Sequence, residues 1–93
     1  MVAAVAASVV FSPLCPGIAL TTAENLAFMM RVHGVTNDAQ FQEEVKAKGV
    51  DQITKISEHP ELKEGACLYA NLVNTYASGI HESAEKFLQE SGH

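Results

Sequence analysis

Apolar and polar positions divide this chain into two unlike parts. Residues 1–11 read Met-Val-Ala-Ala-Val-Ala-Ala-Ser-Val-Val-Phe, and Ser12-Pro13-Leu14-Cys15-Pro16-Gly17 then breaks the run. From Thr21 onward apolar residues recur at helical spacing and polar ones fill the gaps. Thr21 and Glu24 have the spacing of a capping box, which satisfies two free backbone donors at a helix start. The spacing predicts a first helix that is apolar nearly all round (Leu26, Ala27, Phe28, Met29, Met30, Val32) and stops at Gly34. Asn37 with Gln40 repeats the capping spacing. A second helix is expected over 37–48, with Phe41 and Val45 facing inward and Gly49 as its stop. A short third helix is expected over 50–58, with Val50, Ile53 and Ile56 three apart and Pro60 beyond it.

The last segment carries the strongest pattern. At about 100° per residue, Ala66, Tyr69, Ala70, Val73, Tyr76, Ala77, Ile80, Ala84, Phe87 and Leu88 fall within an arc of about 120°. Cys67, Leu68 and Leu72 lie outside that stripe. Gly79 also lies outside it; the segment is read as one helix, with Ser78-Gly79 as the place where it could bend. No segment alternates with the two-residue period of a strand. The fold class is therefore all-α: a small bundle of three to four helices, preceded by an uncharged apolar segment over residues 1–20, with an acidic helical domain over 21–93.

Charge sharpens this division. The 93 residues carry 11 acidic and 6 basic side chains, for a net charge of −5, and all of them lie after Ala23. An acidic chain lacks the basic footprint of a nucleic-acid binder. The apolar front is too short for a membrane-spanning helix, which needs about 20 such residues. It also lacks the basic start of a secretory signal. Alternatives are a targeting remnant or a part of the domain's own core. The favoured reading is an arm buried against a partner or lying in a membrane interface. Its contact residues would be Val2, Val5, Val9, Val10, Phe11, Leu14, Ile18 and Leu20. A chain of 10.0 kDa folds to about 5,200 Å² of surface. Burial then stabilises by about 140 kcal/mol, and ordering the chain costs about the same. A lone monomer is thus marginal, and a partner surface would help it.

Candidate chemistry is sparse. His33, His59, His81 and His93 never pair at i, i+3 or i, i+4. His81-Glu82-Ser83-Ala84-Glu85 opens like a zinc-protease helix, but Glu85 stands where the second histidine is needed. No metal site is expected. His33 and His81, on apolar helices, are the weak candidates for an axial contact to a pigment or haem, and no cofactor is predicted. Cys15 and Cys67 would close a loop of about 50 residues, stabilising by about 4 kcal/mol if bridged; the sequence leaves their state open. Neither Cys67 nor His81 has the companions a nucleophile or base requires, and no phosphate-binding loop or nucleophile elbow occurs.

The function expected is that of a non-catalytic accessory subunit of a larger assembly, associated with a membrane in an organelle or bacterium. Its partners would be protein subunits, with membrane lipid at the N-terminal segment and no nucleic acid. The alternative is a small helical carrier that binds an apolar ligand through Phe28, Met29, Tyr69, Tyr76 and Ile80.

Overall fold

Half of the residues at the front of the chain are alanine or serine, and that decides how the helices meet. In the computed structural model, which describes residues 1–91, the front folds as helix α1 (Val2–Phe11) and a 3₁₀ turn (Ser12–Leu14). Helices α2 (Ala23–Val32), α3 (Ala39–Glu58) and α4 (Lys63–Ser91) follow, with a second 3₁₀ turn (Pro60–Leu62) joining the last two. The described residues are helical throughout, without strands. Helix α1 lies between α3 and α4, and α2 packs on α4.

The front segment is therefore not a separate arm. Val5, Ala6, Ala7, Ser8 and Phe11 are buried, Val5 and Phe11 among side chains of the other helices. Ala6 and Ala7 present only methyl groups, so neighbouring backbones approach closely. Burial between two helices accounts for the lack of charge at the inward positions of α1, while Val9, Leu14 and Leu20 are exposed and uncharged all the same.

Two of the predicted stops behave differently. Gly34, at φ +71°, ends α2 as expected. The Val35 amide donates to the Met30 carbonyl and the Gly34 amide to that of Arg31, the paired bonds of a Schellman cap. Gly49 does not stop its helix: α3 runs 20 residues through it. Gly49 is buried there, and a Cβ at that position would stand 3.0 Å from Val10 Cγ1. Its role is to admit α1, and packing outweighs the roughly 1 kcal/mol helix penalty of glycine. The expected second and third helices are thus one. Helix α4, expected as a single helix, runs unbroken for 29 residues through Gly79.

The caps sit one residue later than the sequence pattern places them. Thr22 Oγ1 accepts from the Asn25 amide at 3.0 Å, and Asp38 Oδ1 from that of Phe41 at 2.8 Å. The core forms two clusters. Met29, Met30, Val5, Phe41, Val73 and Ala77 make one; Ala7, Phe11, Cys15 and Ala70 make the other.

Candidate functional site

Helix α4 organises the molecule because both of its sides are apolar. One side is core: Ala70, Val73, Asn74 and Ala77 are at most 8% exposed. A covalent and polar seam ties the N-terminal residues to this side. Cys15 and Cys67 are disulfide-bonded, with Cα atoms 5.6 Å apart. Asn74, fully buried, accepts from the Ser8 hydroxyl. Its amide donates to Ser12 Oγ (2.9 Å) and to the Ala19 carbonyl (2.8 Å). Asn71 accepts from the Ala19 amide at 2.8 Å. One turn further on, Ser78 donates to Thr21 and accepts from the Asn25 side chain.

The other side of α4 is touched only beside Leu72 and Tyr76, where His33 of α2 and Met1 adjoin it. Leu68, Leu72, Tyr76 and Phe87 are 61%, 67%, 47% and 66% exposed. With Tyr69 and Ile80 they occupy an arc of about 120° on the helix wheel. Gly65, Gly79 and Ser83 lie on the same arc; residues 65–80 include no Asp, Glu, Lys or Arg, and charge returns to the arc at Lys86 and Glu90. The predicted stripe is thus split. Its Ala/Val half is core, while Tyr69, Tyr76, Phe87 and Leu88 are exposed. Helix α2 lies across α4, since Asn25 bonds Ser78 and His33, eight residues on, bonds Tyr76. It therefore covers one short stretch, and the last turns of α4 project beyond it.

The overall dimensions agree. The radius of gyration is 14.5 Å, against about 12 Å for a compact chain of this length. The accessible surface is 6144 Å², about 900 Å² above the value expected for this mass.

The eight residues expected to meet a partner are distributed through the fold. Val5 and Phe11 are core, and Val2, Val10 and Ile18 pack against it; only Val9, Leu14 and Leu20 are exposed. The five expected to line a ligand cavity are not gathered around one. Met29 and Tyr76 share a notch of about 290 Å³ with Met1, Ala4, His33, Leu72 and Val73; Phe28, Tyr69 and Ile80 do not line it. A groove of about 460 Å³ instead runs between α1 and α3, with Ala6, Val9, Val10, Val45, Val50 and Ile53 among its walls.

The histidines are engaged within the chain. His33 Nε2 is 2.9 Å from the Tyr76 hydroxyl. His81 Nε2 is 3.0 Å from Glu85, and its ring stacks on Phe28 with centroids 5.2 Å apart. His81 Nδ1 is buried without a partner. His93 lies outside the described residues. Among the described residues no three His, Cys, Asp or Glu side chains are grouped to hold a metal ion. None of their helices is long and apolar enough to cross a membrane.

Sequence reasoning missed Leu68 and Leu72 as surface residues. The signal was present, because both were left outside the stripe yet fall on one arc with Tyr76. No protein-family model, curated protein or solved structure matches the chain.

Proposed function

We propose that this protein is a non-catalytic assembly subunit that works by helix packing and offers the free face of α4 to a protein partner. The observation that carries this reading is the row Leu68, Leu72 and Tyr76, exposed on a helix whose opposite side is core. A contiguous exposed apolar strip of this kind marks an interaction site.

Residues 2–20 were expected to make that contact. With α1 taken up by α3 and α4, the contact moves to α4, and the N-terminal segment becomes the element that holds α4 in place. The membrane-lipid version of the expectation retains only Val9, Leu14 and Leu20, so a protein partner is carried forward. The Cys15–Cys67 bridge supports work in an oxidising compartment.

A photo-crosslinking residue at position 72, compared with one at Glu44 on the polar side of α3, tests this in cells that make the protein. Capture of a protein from position 72 alone is expected. Equal capture at both positions, or none at position 72, removes the reading. The groove between α1 and α3 favours a second reading, a carrier of a slender apolar ligand. Native mass spectrometry of protein isolated from its source would then show a retained small molecule, and a bare 10 kDa species would remove it.

A further inference from the structure

Resting on the assembly reading above, we propose that the occupant of the free α4 face is a second copy of this chain, packed antiparallel to the first about Tyr76. The midpoint of α4 (Lys63–Ser91) lies one residue beyond Tyr76, so a two-fold axis there overlaps almost the whole helix with its partner. In that register the strip is self-complementary. Phe87 of one copy lies opposite Gly65 of the other, Tyr69 opposite Ser83, and Leu72 opposite Ile80, while the two Tyr76 rings meet at the axis. Phe87 and Tyr69 thus each find a small residue in the other half and Leu72 a partly buried one, while Leu68, at the edge of the strip, stands opposite Ala84, which is off it. Gly65 has open space around its Cβ position, which leaves room for the Phe87 ring. A two-fold contact of this type closes on itself and repeats every favourable pair.

Charge supports the same register. Glu64 and Lys86 flank the same edge of the strip, and neither makes an ion pair among the described residues. In the antiparallel pair, Lys86 of one copy reaches Glu64 of the other, twice by symmetry. Within one chain the two are 22 positions apart, about 33 Å along the helix, so they have no intramolecular contact to make. The projecting end of α4 carries Phe87, exposed on the strip, and the first turns of the partner's α4 cover that side of it.

The test is sedimentation equilibrium of the intact, oxidised protein at about 0.15 M salt, where charges are screened beyond about 8 Å. The wild type is expected as a reversible dimer. Leu72→Glu is expected to raise the dissociation constant at least ~100-fold, because two copies of a buried charge are introduced. Its circular dichroism should be unchanged, since position 72 is exposed in the single chain. Lys86→Glu should weaken association about 10-fold, and adding Glu64→Lys to it should restore the wild-type value to within about 3-fold. A wild type that stays monomeric at hundreds of micromolar overturns the proposal. So does a dimer indifferent to Leu72→Glu, or a charge reversal that fails to rescue. The crosslink at position 72 separates the two readings. A product of twice the chain mass is the second copy. A product of another mass leaves the assembly reading standing and overturns the self-association. No product, with a monomeric wild type, removes both.

Discussion

Asn74 is where the fold should be most sensitive to a single change. Its side chain is fully buried on α4 and bonds three groups from the N-terminal segment. Asn74→Ala removes all three bonds. The Ala19 carbonyl is on an exposed residue, so water replaces that partner and the bond contributes little. Ser8 is 4% exposed, and its hydroxyl loses its acceptor in a site that water does not reach. One buried unsatisfied group at about 1–3 kcal/mol, the lost bond to Ser12 at about 1 kcal/mol and a small cavity sum to a loss of about 2–4 kcal/mol. Asn74→Asp should cost more. It keeps the acceptor for Ser8 but puts a second carboxylate oxygen, with a buried charge, where the donor to Ser12 and Ala19 was. The assay is urea unfolding followed by far-ultraviolet circular dichroism, at one fixed micromolar concentration for every variant. With a slope of about 1 kcal/mol/M, the midpoint of Asn74→Ala should fall by about 2–4 M. A double-mutant cycle with Ser8→Ala should return a coupling of about 1 kcal/mol. A loss below about 0.5 kcal/mol for Asn74→Ala, or wild-type stability for Asn74→Asp, would refute the claim that this seam anchors the N-terminal segment.

The remaining predictions use the same unfolding assay. Replacing both Cys15 and Cys67 by Ser opens a loop spanning 52 positions and should cost about 4 kcal/mol on the chain-entropy account; unchanged stability would mean the unfolded chain gains nothing from the cut. Gly79→Ala, on an open helix surface, should stabilise by up to about 1 kcal/mol. Gly49→Ala should not, because the new methyl meets Val10 at 3.0 Å, and equal gains at both positions would show that α1 does not press on α3. Met29→Ala, at a position 2% exposed, should cost about 2–5 kcal/mol. Leu72→Ala, compared with wild type at a concentration where sedimentation shows both as monomers, should cost under about 0.5 kcal/mol; the reverse order would place the core on the wrong side of α4.

The helices themselves were legible in the sequence, because a 3.6-residue period and local capping chemistry are properties of neighbouring residues. Gly34 as a stop, an all-helical body and the strength of the last helix follow from that alone. What the period cannot supply is the identity of the surface that covers each apolar face. The uncharged residues 2–11 read more readily as an arm against a lipid or a partner than as core. Only the placement of α3 and α4 on either side of α1, with Asn74 and the Cys15–Cys67 bridge holding the seam, made Val5, Ala6, Ala7 and Phe11 core. Gly49 illustrates the same limit. A glycine that ends a helix and one that lets another helix approach are identical until the second helix is in place. The two apolar arcs of α4 are the sharpest case. Their residues are fixed by the sequence, but which arc is buried depends on where α1 and α2 settle. Burial is a relation between segments distant along the chain, and the face left over becomes the candidate site.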